Sequence, residues 1–226
     1  MKIIDSKIKA VLFDFDGTIM DTNQIIINSW QHTFRELLGE EQPLPRILNT
    51  FGEPLEISMK KEFPDIPVEK SVNIYREYHR DRFVDSIEIF PGIRELIEKL
   101  GGLGYKLAVV TSRLPGSTMQ GLEKYGLERW FDEVITCNDT IKHKPDPEPV
   151  QLALKRLKVA AAEAVLIGDS IFDISSAKGA GVKSILVGWT AAEKHQKIHG
   201  INDPDYQINE VEDVFGILEE LGGIVE

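Results

Sequence analysis

Five short runs rich in Val, Ile and Leu punctuate the chain: AVLF at 10–13, LAVV at 107–110, VIT at 134–136, AVLI at 164–167 and SILV at 184–187. Their apolar residues are too continuous to leave one face in water, so each reads as a strand buried on both faces. Helical patterns lie between them. In PGIRELIEKLGGLG, Pro91 stands near a helix start and glycines follow the helix end; in DPEPVQLALKRLK, Asp146 serves as N-cap and Pro147 as the first helical residue. Strands alternating with helices specify an α/β fold, a doubly wound parallel sheet with right-handed crossovers.

One region departs from the alternation. From about Met20 to Ser86 there are helical patterns broken by GEEQPLP, FGEP and FPDIP, and no strand. This predicts an all-helical insert over 20–86, carried by a core made of 1–19 and 87–226, with the chain re-entering the core near Ile89 to Gly92. Trp30, Phe34 and Leu37 recur at helical spacing and read as the packed face that holds the insert together. No internal repeat and no low-complexity segment interrupts this plan.

Open parallel sheets bind ligands beyond the carboxyl ends of their strands, so the polar residues that terminate strands carry the functional question. AVLF runs into Asp14-Phe-Asp16-Gly17-Thr18, LAVV into Thr111-Ser112-Arg113, and AVLI into Gly168-Asp169-Ser-Ile-Phe-Asp173, while the loop KHKPDPEP adds Lys144. If these strand ends are neighbours, up to four carboxylates converge and raise one another's pKa unless a cation intervenes. With oxygen ligands alone, a hard divalent ion is expected, and beside a phosphate that means Mg²⁺. Thr111 and Lys144 would then bind the anion that the metal also binds, which describes phosphoryl transfer. In such a site one Asp attacks phosphorus to form an aspartyl-phosphate, and a second, two residues on, serves as acid and then base. Gly17 permits the sharp turn that brings backbone amides near the phosphate.

Composition narrows the partners. A formal net charge of −11 repels nucleic-acid phosphates and acidic membrane surfaces, so neither is expected as a partner. The single cysteine, Cys137, excludes an internal disulfide; Met1-Lys-Ile-Ile-Asp lacks the pattern of a signal peptide; and no apolar run approaches the ~20 residues of a membrane-spanning helix. The expectation is a soluble cytoplasmic protein, a monomer or weak homodimer, whose partner is a small phosphorylated substrate.

DFDGT, VVTS, KPDP and GDSIFD, in that order, resemble the motifs of the haloacid dehalogenase (HAD) superfamily of phosphohydrolases over nearly the whole chain. The resemblance implies Asp14 as nucleophile and Asp16 as general acid/base, with Thr111 and Lys144 on the phosphate and Ser112 and Gly17 beside them. It further implies Mg²⁺ held by Asp14, the backbone carbonyl of Asp16, and Asp169, with Asp173 in support, and the helical insert as a cap. Dehalogenases of the superfamily lack the second Asp, so Asp16 points to phosphate chemistry. Sugar phosphomutases carry Val after DxDG and a His in the first cap helix, where this chain has Thr18 and Ile26. Among phosphatases, DTNQIIINSWQHT, KPDPEP and VGWT look most similar to the bacterial inorganic pyrophosphatases, with phosphoglycolate phosphatases as near relatives.

Plainer readings stand beside these. Asp14, Asp16 and Asp169 could be solvated turn residues, Lys144 an exposed lysine before a proline turn, Thr111 a β-former ending its strand, and Asp173 a helix cap. Asp21 and Thr22 read as caps of the first insert helix, and Arg113 as either a substrate contact or a surface residue. His32, His79, His143, His195 and His199 form no metal-ligand pattern and read as solvated. Three classes of function remain: a Mg²⁺-dependent phosphohydrolase, a phosphomutase needing an acid/base on the insert, and a non-catalytic phosphate or Mg²⁺ sensor. Between substrates the discriminator is the insert: positive charge facing the crevice suits pyrophosphate, and mainly apolar groups suit an organic phosphate.

Overall fold

The computed structural model describes residues 7–190 and 203–225. In chain order the elements are β1 (Ala10–Phe13), β2 (Met20–Asp21), α1 (Asn23–Leu38), α2 (Leu44–Leu48), α3 (Leu55–Glu62), α4 (Val68–Ser86), β3 (Glu88–Ile89), α5 (Ile93–Gly102) and β4 (Lys106–Val110). There follow α6 (Pro115–Lys124), β5 (Glu133–Ile135), α7 (Glu148–Leu157), β6 (Ala164–Gly168), α8 (Ile171–Gly179), β7 (Lys183–Val187), β8 (Tyr206–Ile208) and α9 (Asp213–Glu220).

Six strands form one sheet in the order β5-β4-β1-β6-β7-β8, and every pairing in it is parallel. The chain builds outward from β1 on one side through β4 and β5, then returns to the other side for β6, β7 and β8. β1 therefore lies where the winding reverses, and its carboxyl end opens into the crevice characteristic of such sheets.

The continuous apolar runs have the physical cause inferred for them. Val11 and Phe13 of β1, with Val109, Ile167 and Ile185 from its neighbours, face a core shared with α5 and α9; Ala10 and Leu12, with Ala108, Val110 and Leu166, face a second core shared with α7 and α8. Alternate residues of one strand thus serve opposite layers, and every position must be apolar.

Helices α1 to α4 lie between β2 and β3 and close a third apolar cluster of their own, with Trp30, Phe34, Ile47, Met59, Phe63, Val72 and Tyr75 among its members. Trp30 packs at 5.6 Å from Phe34 and 5.7 Å from Tyr75, ring centre to ring centre. The helix spacing of Trp30 and Phe34 is thus explained by packing, each such aromatic burial contributing ~1.5–3 kcal/mol.

Four local details differ from the sequence reading. Met20–Asp21 is a strand, pairing antiparallel with Glu88–Ile89 where the chain leaves and re-enters the core; two residues are too few to show a period. The edge strand β8 has one buried residue, Ile208, and hence no apolar run to read. α7 starts at Glu148, one residue later than predicted, with the Asp146 carboxylate accepting the Glu148 N–H at 3.0 Å. At α1 the side chain that caps is Asp21, which accepts the Asn23 N–H at 3.1 Å, while Thr22 makes no capping bond.

Candidate active site

The polar ends of β1, β4 and β6 meet because those three strands are adjacent, β1 in the middle. Asp14 continues the β1 ladder, donating its N–H to Ile167 O at 2.9 Å, and its side chain is 9% exposed. Asp169 follows β6, and Asp173 lies in the first turn of α8. Asp14, Asp169 and Asp173 each present one carboxylate oxygen such that all three lie within 4.8 Å of one another.

Lys144 enters this cluster from the loop between β5 and α7, across a cis Lys144–Pro145 peptide. Its ammonium donates to Asp14 Oδ1 at 2.7 Å, to Asp173 Oδ1 at 2.5 Å and to Val110 O at 3.1 Å. Three protons meet three acceptors, and the side chain is 4% exposed. The exposed-lysine alternative is thereby removed. Asp173 is not itself the N-cap of α8, which is Ser170, but stands at its N3 position: Oδ1 accepts from Lys144, while Oδ2 accepts the N–H and hydroxyl of Ser170 in a capping box.

The electrostatics follow from crowding. Burial, then the Asp173 charge, pushes the Asp14 carboxyl up to about 7 despite Lys144. Burial and the Asp14 and Asp173 charges raise Asp169 well above the ordinary carboxylate range. Burial disfavours the Lys144 ammonium, yet Asp14 and Asp173 more than offset it and hold its pKa above the usual value. Three buried carboxylates against one buried cation leave negative charge uncompensated, and an all-oxygen donor set fits a hard divalent ion such as Mg²⁺.

Gly17 has a specific reason to be glycine. Its φ is +76°, and a Cβ there would lie 2.0 Å from Asp169 Oδ2. Its own N–H donates to Met20 O, so its contribution is space beside the carboxylates. Thr111 is buried at the end of β4, where its hydroxyl accepts the Arg113 N–H at 3.2 Å. Ser112 Oγ is buried with no hydrogen-bond partner. Such an orphan is costly unless a ligand supplies the missing partner.

Asp16 is not one of the three clustered carboxylates; its carboxylate is bonded to Arg113. Arg113 Nε lies 3.1 and 3.0 Å from the two oxygens of Asp16, and Nη2 lies 2.6 Å from Oδ1. Burial pushes the Asp16 carboxyl up, but the charge and hydrogen bonds of Arg113 more than offset this and leave it below its ordinary value. Arg113, left open between substrate contact and surface, is 8% exposed and packs its guanidinium 4.3 Å over the Phe83 ring. Its partner is Asp16, 97 residues away in sequence.

His79 corrects the sequence reading outright. It is not solvated: the residue is 9% exposed, its ring stacked between Tyr75 and Phe83 on α4, with Nε2 3.0 Å from Arg113 Nη1 and Nδ1 3.1 Å from Ser29 Oγ. The available signal was the spacing of Tyr75, His79 and Phe83, four residues apart on one helix face. His195 and His199 lie outside the described residues.

These groups border one cavity of ≈ 190 Å³ between the strand ends and the helices. Asp14, Asp16, Gly17, Thr111, Ser112, Arg113, Lys144 and Asp169 form its core side. The helical side is mixed: Ile26, Trp30, Phe51, Pro54, Leu55 and Tyr75 are apolar or aromatic, while Thr22, Asn23, Thr50, Glu53, Arg76 and His79 are polar or charged. Arg76 donates to Glu56 at 2.6 Å, and Glu53 pairs with Lys61. No helix among the described residues is long and apolar enough to cross a membrane.

The family model for haloacid dehalogenase-like hydrolases matches residues 11–187. A relative from Caldanaerobacter subterraneus is 38% identical over 97% of each chain. A protein named pyrophosphatase PpaX, from Halalkalibacterium halodurans, is 34% identical over 94% of this chain and 97% of its own. Among solved structures, a haloacid dehalogenase-like family hydrolase from Streptococcus pneumoniae superposes with a TM-score of 0.80 at 26% identity, covering 93% of this chain and 98% of its own.

Proposed function

The chain belongs to the haloacid dehalogenase-like hydrolases, and from that premise we propose a Mg²⁺-dependent phosphohydrolase that works through an aspartyl-phosphate on Asp14. One observation carries the reading: the Asp14 carboxylate sits at the end of the central strand, 2.7 Å from Lys144 and within the three-carboxylate cluster.

Asp14 attacks phosphorus as the bond to the departing oxygen breaks, and Asp16, which Arg113 holds ionised here, takes a proton from the water that cleaves the aspartyl-phosphate; the proton so gained is the one it gives to the departing oxygen of the next turnover, a step that requires its release from Arg113. Thr111, Ser112 and Lys144 bind the phosphate oxygens, and Gly17 keeps their approach open. Mg²⁺ is assigned to Asp14, Asp169 and the Asp16 carbonyl, with Asp173 in support; when bound it neutralises the phosphate and holds Asp14 ionised. That role is needed, because with Lys144 as its bonded cation Asp14 is still pushed up to about 7 by burial and the Asp173 charge. Helices α1 to α4 are assigned as a cap that excludes water from the aspartyl-phosphate.

Pyrophosphate is the first substrate proposed, supported by full-length relatives that bear the name pyrophosphatase. A small organic phosphomonoester, phosphoglycolate included, is the second, supported by the apolar residues Ile26, Trp30, Phe51 and Leu55 on the helical wall of the cavity. A phosphomutase is disfavoured because Ile26, on that wall, carries no proton to exchange. A small phosphorylated substrate in the cytoplasm, and a monomer or weak homodimer, complete the proposal.

The test is phosphate release, with and without Mg²⁺, from pyrophosphate, phosphoglycolate, sugar phosphates and nucleotides. Release that requires Mg²⁺ and falls at least ~10⁴-fold in Asp14→Asn is expected. Wild-type turnover that survives Asp14→Asn would sink the mechanism, while binding with no turnover of any compound would leave a sensor.

A further inference from the structure

Arg113 is gripped from two sides. The core supplies Asp16, which takes Nε and Nη2; the helical unit supplies His79, which faces Nη1 at 3.0 Å. A guanidinium has donors and no acceptor, so His79 Nε2 must be the unprotonated nitrogen. Nδ1 then carries the proton and donates to Ser29 Oγ at 3.1 Å, and the Ser29 hydroxyl donates to Ile25 O at 2.6 Å. Every donor and acceptor in the chain Arg113, His79, Ser29, Ile25 O has one possible direction.

The surroundings enforce it. Tyr75 lies 5.5 Å from the His79 ring and Phe83 5.2 Å, both nearly parallel to it, and Phe83 also lies beneath the Arg113 guanidinium. Burial, then the Arg113 charge, holds the imidazole down to about 3, so it stays neutral. Protonation would set one donor against another.

We propose that His79 is a positioning residue: by accepting from Arg113 Nη1 it fixes the guanidinium in its two-point grip on Asp16, so that docking of the helical unit aligns the acid/base. The proposal rests on the reading of Asp16 as that acid/base. It assigns α4 a task beyond enclosing substrate: carrying a neutral acceptor to a cation of the core.

The experiment compares His79→Gln, which keeps a carbonyl acceptor, with His79→Leu, which fills the site and has none. For the compound turned over fastest, kcat and KM are measured separately, alongside thermal midpoints; Asp14→Asn is the control for the reaction itself. His79→Leu is expected to lower kcat roughly tenfold or more with little change in KM, and His79→Gln to restore it to within about threefold even where Gln is the less stable variant. Equal kcat in the two variants, or a loss that follows the thermal midpoints, overturns the proposal. If Asp14→Asn retains turnover, the phosphohydrolase mechanism fails instead, whatever the His79 variants do. Nitrogen NMR of the imidazole decides without activity: a neutral ring protonated on Nδ1 from about pH 5 to 8 is expected, with Arg113 Nε–H exchange slow in wild type and His79→Gln and fast in His79→Leu. A ring that titrates in that window, or is protonated on Nε2, overturns it.

Discussion

Lys144→Met tests whether the carboxylate cluster is held together by one buried cation. Methionine keeps the length and most of the volume, so the cavity contribution is small and the change is electrostatic. The lysine is 4% exposed and bonded to Asp14 at 2.7 Å and Asp173 at 2.5 Å, which are 9% and 0% exposed. Removing one partner of a buried pair costs about 3–5 kcal/mol, because the carboxylates left behind lose the cation that bonds them both. The cost depends on pH. Asp14 already has a folded pKa of about 7 against 3.8 for the free group, so ionising it costs stability as pH rises between those values. Without Lys144 its folded pKa climbs further, and the loss extends to higher pH. The deficit relative to wild type is therefore smallest near about pH 5 and largest near about pH 8. The assay is urea unfolding at both values, with chelator and with Mg²⁺. At the higher pH in chelator the deficit should reach the ~3–5 kcal/mol above, and Mg²⁺ should recover part of it. A deficit below ~1 kcal/mol there, or one equal at both pH values, refutes the account.

Two further perturbations probe the same cluster. Gly17→Ala puts a Cβ 2.0 Å from Asp169 Oδ2 at a φ of +76°, so it should cost ~1–2 kcal/mol of backbone strain and displace the carboxylate. Calorimetric titration should show Mg²⁺ binding weakened about tenfold or more, and unchanged affinity would show that Asp169 is not a ligand. In wild type, Mg²⁺ should raise the thermal midpoint more near about pH 8 than near about pH 5, because Asp14 and Asp169, both raised, keep their protons at the lower value. An equal shift at the two pH values would place the ion elsewhere.

The parts of this fold that were legible are those whose environment is the same on every side. The strands at 10–13, 107–110, 164–167 and 184–187 are buried on both faces and fall within one residue of their predicted ends. β8 and the β2–β3 pair, two or three residues each, carry no period. The site followed from topology: once β1, β4 and β6 are neighbours, Asp14, Thr111 and Asp169 must meet at their ends. Asp16–Arg113 was not legible, since nothing in the loop after β4 says which way the side chain turns. His79 was illegible for a related reason. Its burial depends on how α4 docks, although Tyr75 and Phe83 on the same face marked that face as packed.

The division between core and helices carries a consequence for how this site can change. Asp14, Asp16, Lys144 and Asp169 stand on the ends and loops of the sheet, and Asp173 in the first turn of α8, all of them in the core. The helical side gives the cavity shape through Trp30, Phe51 and Tyr75, and its cation there, Arg76, is already bonded to Glu56. Substitutions among those apolar residues alter what fits above the carboxylates without touching the charges beside them. His79 is different, because its acceptor reaches a core cation directly. A change there moves Arg113, and through it Asp16, so the same helix that shapes the substrate's space also bears on the reacting groups. Variation in the helical unit is therefore expected to be permissive at the partly buried wall residues Ile26 and Leu55 and restrictive at Ser29, Tyr75, His79 and Phe83, where polarity and stacking admit one arrangement.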